Sequence, residues 1–231
     1  MKIQFRHLLL LGFLLLFAVV FLVQPSFLDV FQQTRTPTVI VLDVGHGGFD
    51  PGKISSDGLL EKDINLAIAL RLKEYLEAQD CQVYMTRDTD RSLADTSESN
   101  QKRSDMQNRI ALIKEVQPTL MISIHQNSFP SPKEHGAQTF YYYSSDNSKL
   151  LAESIQSALI EQADPENTRI CKSNDSYYIL KNTDCPAVIV ECGFLSNPTE
   201  SALLNTAIYQ DKLAYAISVG ARQYLNQTAQ P

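Results

Sequence analysis

Three largely apolar runs constrain this chain most: TVIVLDV at Thr38–Val44, LMISI at 120–124 and AVIV at 187–190. Aliphatic and β-branched residues without polar alternation suit a strand covered on both faces. Each run therefore predicts a central strand of a sheet with helices on either side. Between the runs the spacing turns helical. Ile64, Ala67, Ile68, Leu72, Tyr75 and Leu76 mark a helix over 61–79, Met106, Ile110 and Ile113 one over 103–116, and Leu150, Leu151, Ile155 and Leu159 one over 149–162. Further helices are predicted over 201–205 and 209–225, and further strands over 82–86 and the aromatic-rich 136–143. Residues 88–100 and 163–176 read as loop, and 177–180 as a short strand or a loop over the site. The alternation predicts an α/β fold: a single domain with a mostly parallel sheet flanked by helices on both faces.

A membrane anchor is expected ahead of that domain. Lys2, Arg6 and His7 precede sixteen uncharged residues, 8–23, and no small-residue cleavage signature follows. Residues 1–23 are read as an uncleaved signal anchor with a cytoplasmic N-terminus, a cleaved signal peptide being the alternative. A stalk at 24–36, a catalytic domain at 37–226 and a tail at 227–231 complete the division. The domain is then exported, on the extracytoplasmic face of the membrane. The chain carries a net charge of −6, more negative still once the basic N-terminus is set aside. An acidic domain without a basic stripe excludes nucleic acid as a partner. Cys81, Cys171, Cys185 and Cys192 permit one or two disulfides in an oxidising compartment, and equally fit buried free thiols.

The chemistry gathers at strand ends. His46 follows the first run inside a glycine-rich turn, His125 directly follows the second, Glu191 directly follows the third, and Glu61 opens the first helix. In an open parallel sheet those ends share the edge at which ligands bind. Two histidines and a glutamate match a catalytic zinc site that keeps a fourth position open, and nitrogen donors favour zinc over magnesium or calcium. Each residue also has a plainer reading. His46 suits a turn cap, Glu61 a first-turn carboxylate favoured by the helix dipole, and His125 a hydrogen-bonded histidine. Glu191 is hardest to explain without a function, because a buried carboxylate is costly unless paired. His135 reads as a solvated loop residue.

The segments LDVGHGG with Glu61 and Lys62 following, VYMTR, SIHQNS and VIVECGFLSNPTE occur in this order. Together they resemble the zinc-dependent N-acetylmuramoyl-L-alanine amidases of the type 3 catalytic family over residues 38–225. GAQTFYYY and YYILKNTDCPAVIVECGFLSNP are most similar to the germination-specific, spore-cortex members. The resemblance implies that His46, Glu61 and His125 bind Zn2+ and that Glu191 is the catalytic carboxylate. It implies hydrolysis of the amide between N-acetylmuramic acid and L-alanine in peptidoglycan, removing stem peptides ahead of muramic δ-lactam formation. It places the enzyme at the cell membrane or in the forespore intermembrane space and leaves an accessory protein open. A zinc peptidase cutting within the stem peptide and a catalytically silent wall-binding homologue are the competing readings. Val44 stands where the family usually has proline, which predicts altered turn stiffness. Asp43 and Asn127 are offered as residues that orient an imidazole, with a plain turn or cap role as the alternative. Arg87, Arg103 and Arg109 are offered as grips for stem-peptide carboxylates, with surface ion pairs as the alternative.

Overall fold

The computed structural model describes residues 37–229 and, before them, Phe13 alone. The expected anchor and stalk lie outside the described residues. Among the described residues no helix is long and apolar enough to cross a membrane.

The chain runs β1 (Thr38–Val44), α1 (Glu61–Glu77), β2 (Cys81–Met85), α2 (Gln101–Val116), β3 (Leu120–Asn127), β4 (Gln138–Tyr142) and α3 (Asp146–Ala158). A single wider helical turn, Leu159–Ala163, extends α3. Then follow β5 (Lys172–Asn174), α4 (Tyr178–Lys181), β6 (Ala187–Phe194), α5 (Pro198–Leu204) and α6 (Ala207–Thr228). One six-stranded sheet has the order β2-β1-β3-β6-β4-β5. β2, β1, β3 and β6 are mutually parallel, whereas β4 enters antiparallel to β6 and β5 runs parallel to β4. The sheet is therefore mixed, with its parallel half holding the strand ends of interest.

Side chains alternate across each strand, and both faces are apolar. Ile40, Leu42, Ile122, Ile124, Val188 and Val190 pack with α1, α3 and α6 in the larger core. Val41, Met121, Ala187 and Ile189 pack with α2 and α4 in the smaller one. Burial of Ile64, Ile68, Leu72 and Leu76 on one stripe holds α1 to the sheet, each side chain contributing about 1.5–3 kcal/mol. Asn100 caps α2, and Asn197 with Pro198 starts α5. The N-cap of α1 is Leu60, which makes no side-chain cap. The Glu61 carboxylate in its first turn is engaged elsewhere.

Several boundaries differ from the sequence reading. β3 and β6 each run beyond the apolar run, so His125 and Glu191 lie within strands. Residues 178–181 form a helical turn where a strand or loop was expected, and β5 interrupts the irregular 163–176 stretch. The last helix continues to Thr228, two residues into the expected tail. All four cysteines are free thiols.

Candidate metal centre and active site

At the C-terminal edge of the parallel strands the backbone reverses sharply after β1. His46 itself has a φ of 60°, and Gly47 and Gly48 follow at 131° and 56°. Gly47 and Gly48 adopt such angles without steric cost, whereas His46 takes the left-handed region as a non-glycine residue. Gly47 and Asp50 exchange main-chain hydrogen bonds across it. Asp90 accepts from the Gly48 N–H at 2.8 Å and pairs with Lys62 at 2.6 Å.

Two buried arginines hold this turn from below. Arg87, 0% exposed, donates to the carbonyls of Val44, Gly45 and Lys62. Arg109, 2% exposed, donates to the carbonyls of Val44 and His46 and pairs with Asp43 at 2.7 Å and Asp105 at 2.6 Å. Neither is a substrate grip or a surface ion pair; both scaffold the histidine turn. Arg103 is exposed. Asp43 also accepts from Ser123 and Thr86, and the Asn127 amide oxygen accepts from Ser128 N–H. The hydrogen bonds of both thus go elsewhere than to an imidazole. Val44 donates its N–H to Thr86 Oγ1 at 2.9 Å, a bond that a proline there would lack.

The structure brings together His46, Glu61 and His125, with one donor atom from each lying within 4.8 Å of the others. His46 Nε2 is 3.2 Å from Glu61 Oε2, and His125 Nδ1 is 3.0 Å from Glu61 Oε1. The two imidazoles meet edge to face with centroids 4.9 Å apart. Glu61 is fixed by main-chain donors as well: Lys53 N–H reaches Oε2 at 2.7 Å and Gln126 N–H reaches Oε1 at 3.0 Å. Burial alone would raise its pKa, but the hydrogen bonds and charges of His125 and His46 hold it far below the usual carboxylate range. Burial alone would likewise lower His125, yet Glu61 lifts it to about 9. Glu61 thus stays ionised beside the two imidazoles. Two imidazole nitrogens and a carboxylate are a donor set suited to a divalent metal ion, so the residues fit one.

Asp50 is the residue that sequence reasoning missed. Its Oδ2 lies 3.0 Å from His46 Nδ1, while Oδ1 accepts from Gly52 N–H and pairs with Lys102 at 3.2 Å. A carboxylate on the far ring nitrogen fixes an imidazole's tautomer and orientation. The available signal was its place four residues after His46 in GHGGFD.

Glu191 sits directly opposite His125 in the parallel β3–β6 register, so the two side chains leave the same face of the sheet. It is 8% exposed, and its Oε2 has no hydrogen-bond partner among the described residues. Burial raises its pKa to about 7, with His125 opposing the shift and Glu61 adding to it. Tyr177 lies beside it, its own phenol pushed up to about 12 by burial and by Glu191. His135 is exposed, away from this cluster.

Fold and cluster together define an α/β domain with a candidate metal-centred hydrolytic site. The family described as N-acetylmuramoyl-L-alanine amidase matches residues 40–223, and the chain belongs to that family. Among its relatives is the germination-specific N-acetylmuramoyl-L-alanine amidase of Bacillus subtilis (strain 168), 38% identical over 228 residues, 96% of this chain and 95% of that protein. The CwlD amidase from Clostridioides difficile, solved in complex with the GerS lipoprotein, is 40% identical with a TM-score of 0.80, over 82% of this chain and 99% of that one. AmiC2, an N-acetylmuramoyl-L-alanine amidase of Nostoc punctiforme, follows at 31% identity and a TM-score of 0.72, over 81% and 97%.

Proposed function

We propose that this chain is a zinc-dependent amidase that cleaves the bond between N-acetylmuramic acid and L-alanine in spore-cortex peptidoglycan, with His46, Glu61 and His125 holding the ion and Glu191 as general base. The observation that carries the reading is the placement of Glu191 opposite His125, with a free carboxylate oxygen and a pKa near neutrality. Bound zinc would supply Lewis-acid polarisation of the scissile carbonyl and a water of lowered pKa. Glu191 takes the proton from the attacking water and returns it to the departing L-alanine amine, since a base of pKa near ambient pH serves both transfers. Asp50 keeps the His46 ring turned toward Glu61, and Lys53 and Gln126 main-chain donors keep the Glu61 carboxylate in place. The buried wall around Glu191 limits competing water.

The cortex role is supported by the germination-specific name of the B. subtilis relative. An accessory lipoprotein is proposed as a partner on the strength of the C. difficile complex, and anchoring by residues 1–23 with extracytoplasmic action fits both. Stem-peptide removal would then precede muramic δ-lactam formation. Mass analysis of peptidoglycan digested by the purified chain tests the reading. Free lactyl ends with intact stem peptides are expected. Shortened stems would replace the amidase with a peptidase, and a digest unchanged both with and without the accessory lipoprotein would leave a silent binding protein.

A further inference from the structure

Beneath the cluster lies a buried polar chain on the face of the sheet that α1 covers. Gln126, 4% exposed, follows His125 in β3 and points to the opposite face, where Asn65 lies fully buried one turn after Glu61 on α1. Asn65 Nδ2 donates to the Gly45 carbonyl at 3.1 Å and toward Glu61 Oε1 at 3.4 Å, and Gln126 Nε2 donates to Asn65 Oδ1 at 3.1 Å. The direction of this chain is dictated by chemistry. The Gly45 carbonyl only accepts, so the Asn65 amide must present its NH2 there. Its oxygen then faces Gln126, which must present its own NH2. The Gln126 oxygen is left without a hydrogen-bond partner among the described residues.

We propose that Gln126 is a positioning residue for the metal centre: its side-chain amide locks the orientation of Asn65, and Asn65 in turn steadies Glu61 Oε1 between the two imidazoles. The inference rests on the proposed metal role of His46, Glu61 and His125. Groups behind a ligand that fix its orientation typically alter metal affinity 10- to 100-fold. The main-chain N–H of Gln126 bonds Glu61 whatever its side chain, so substitution isolates the amide chain. Gln126→Leu removes the donor. Gln126→Glu keeps the shape but replaces the donor with an acceptor, which sets its carboxylate against Asn65 Oδ1 while the Gly45 carbonyl still claims the Asn65 NH2.

The test is a titration of the metal-free full chain, in detergent, with Zn2+ against a chromophoric chelator, read beside the thermal midpoint of the metal-free protein. Wild type should bind zinc and His125→Ala should not. Both Gln126 variants should bind at least about 10-fold more weakly. Leu72→Ala, which loosens the core away from the amide chain, should lower the thermal midpoint and leave zinc affinity within about twofold. A Gln126 variant that folds and binds zinc within about twofold of wild type overturns the inference. So does a shift in affinity that Leu72→Ala reproduces. Wild type without zinc binding that depends on His125 removes the metal reading itself, and the inference with it.

Discussion

Gly52 shows how little room the centre leaves. Its φ is 68°, and a Cβ there would lie 2.6 Å from both Glu61 Oε2 and His46 Cδ2. Alanine at this position strains the backbone and pushes into Glu61 and His46, two of the three proposed metal-holding residues, at once. Gly52→Ala should lose zinc affinity by about 10-fold or more, measured by chelator competition. Its folding stability should fall by only about 1–2 kcal/mol. Unchanged affinity would mean that the ligand positions yield more easily than the packing indicates. Gly52 carried no special weight in the sequence, where it was one glycine among several. Arg87 and Arg109 were misread for a related reason. A cation in a polar stretch looks solvent-facing until the carbonyls it satisfies, brought from the β1 turn more than forty residues away, are seen around it.

At the scale of elements, α3 and α6 approach closely at Gly220, where an added Cβ would lie 2.5 Å from Ile155 Cα and 2.8 Å from Ser154 O. Two effects compete. Alanine favours a helix over glycine by about 1 kcal/mol, but overpacking against backbone costs about 1–3 kcal/mol. Backbone cannot rotate away, so Gly220→Ala should destabilise, seen as a lower urea midpoint; a raised midpoint would contradict the close approach. The strands of the parallel half were legible because doubly buried strands are largely apolar runs, and the polar residues that end them, His125 and Glu191, stand out. The direction of β4 was not legible. Its aromatic-rich sequence fits either pairing, and only the short connection from β3 across the site edge fixes it antiparallel to β6. α4 is a single turn, too short for periodicity to show.

Across the whole molecule, the ionised Asp43–Arg109 pair ties the β1 turn, α2 and, through Ser123, β3 into one unit. Burial alone would raise the Asp43 pKa, but Arg109, His125 and Ser123 together bring it below the ordinary value. A carboxyl whose pKa falls on folding stabilises the protein at neutral pH, and that stability is lost as pH drops through the folded value. The Asp43 contribution, read as the difference in urea midpoint between wild type and Asp43→Asn, should therefore be full above about pH 4 and decline below it. A difference that grows on acidification below about pH 4 would contradict the sign. The fold class and the four residues gathered at the sheet edge, His46, Glu61, His125 and Glu191, could be read from pattern and family resemblance together. The Asp50 partner, the arginine scaffold and the amide chain beneath Glu61 could not, because each is a contact between segments that sequence spacing does not relate.

Metal content tests the proposed division between the residues that hold the ion, His46, Glu61 and His125, and Glu191, which moves the proton. Wild type and Glu191→Ala should each carry about one zinc per chain, with turnover lower in the variant by a factor of about 10²–10⁴. His125→Ala should carry essentially none. Zinc retained in His125→Ala, or lost in Glu191→Ala, would contradict the account.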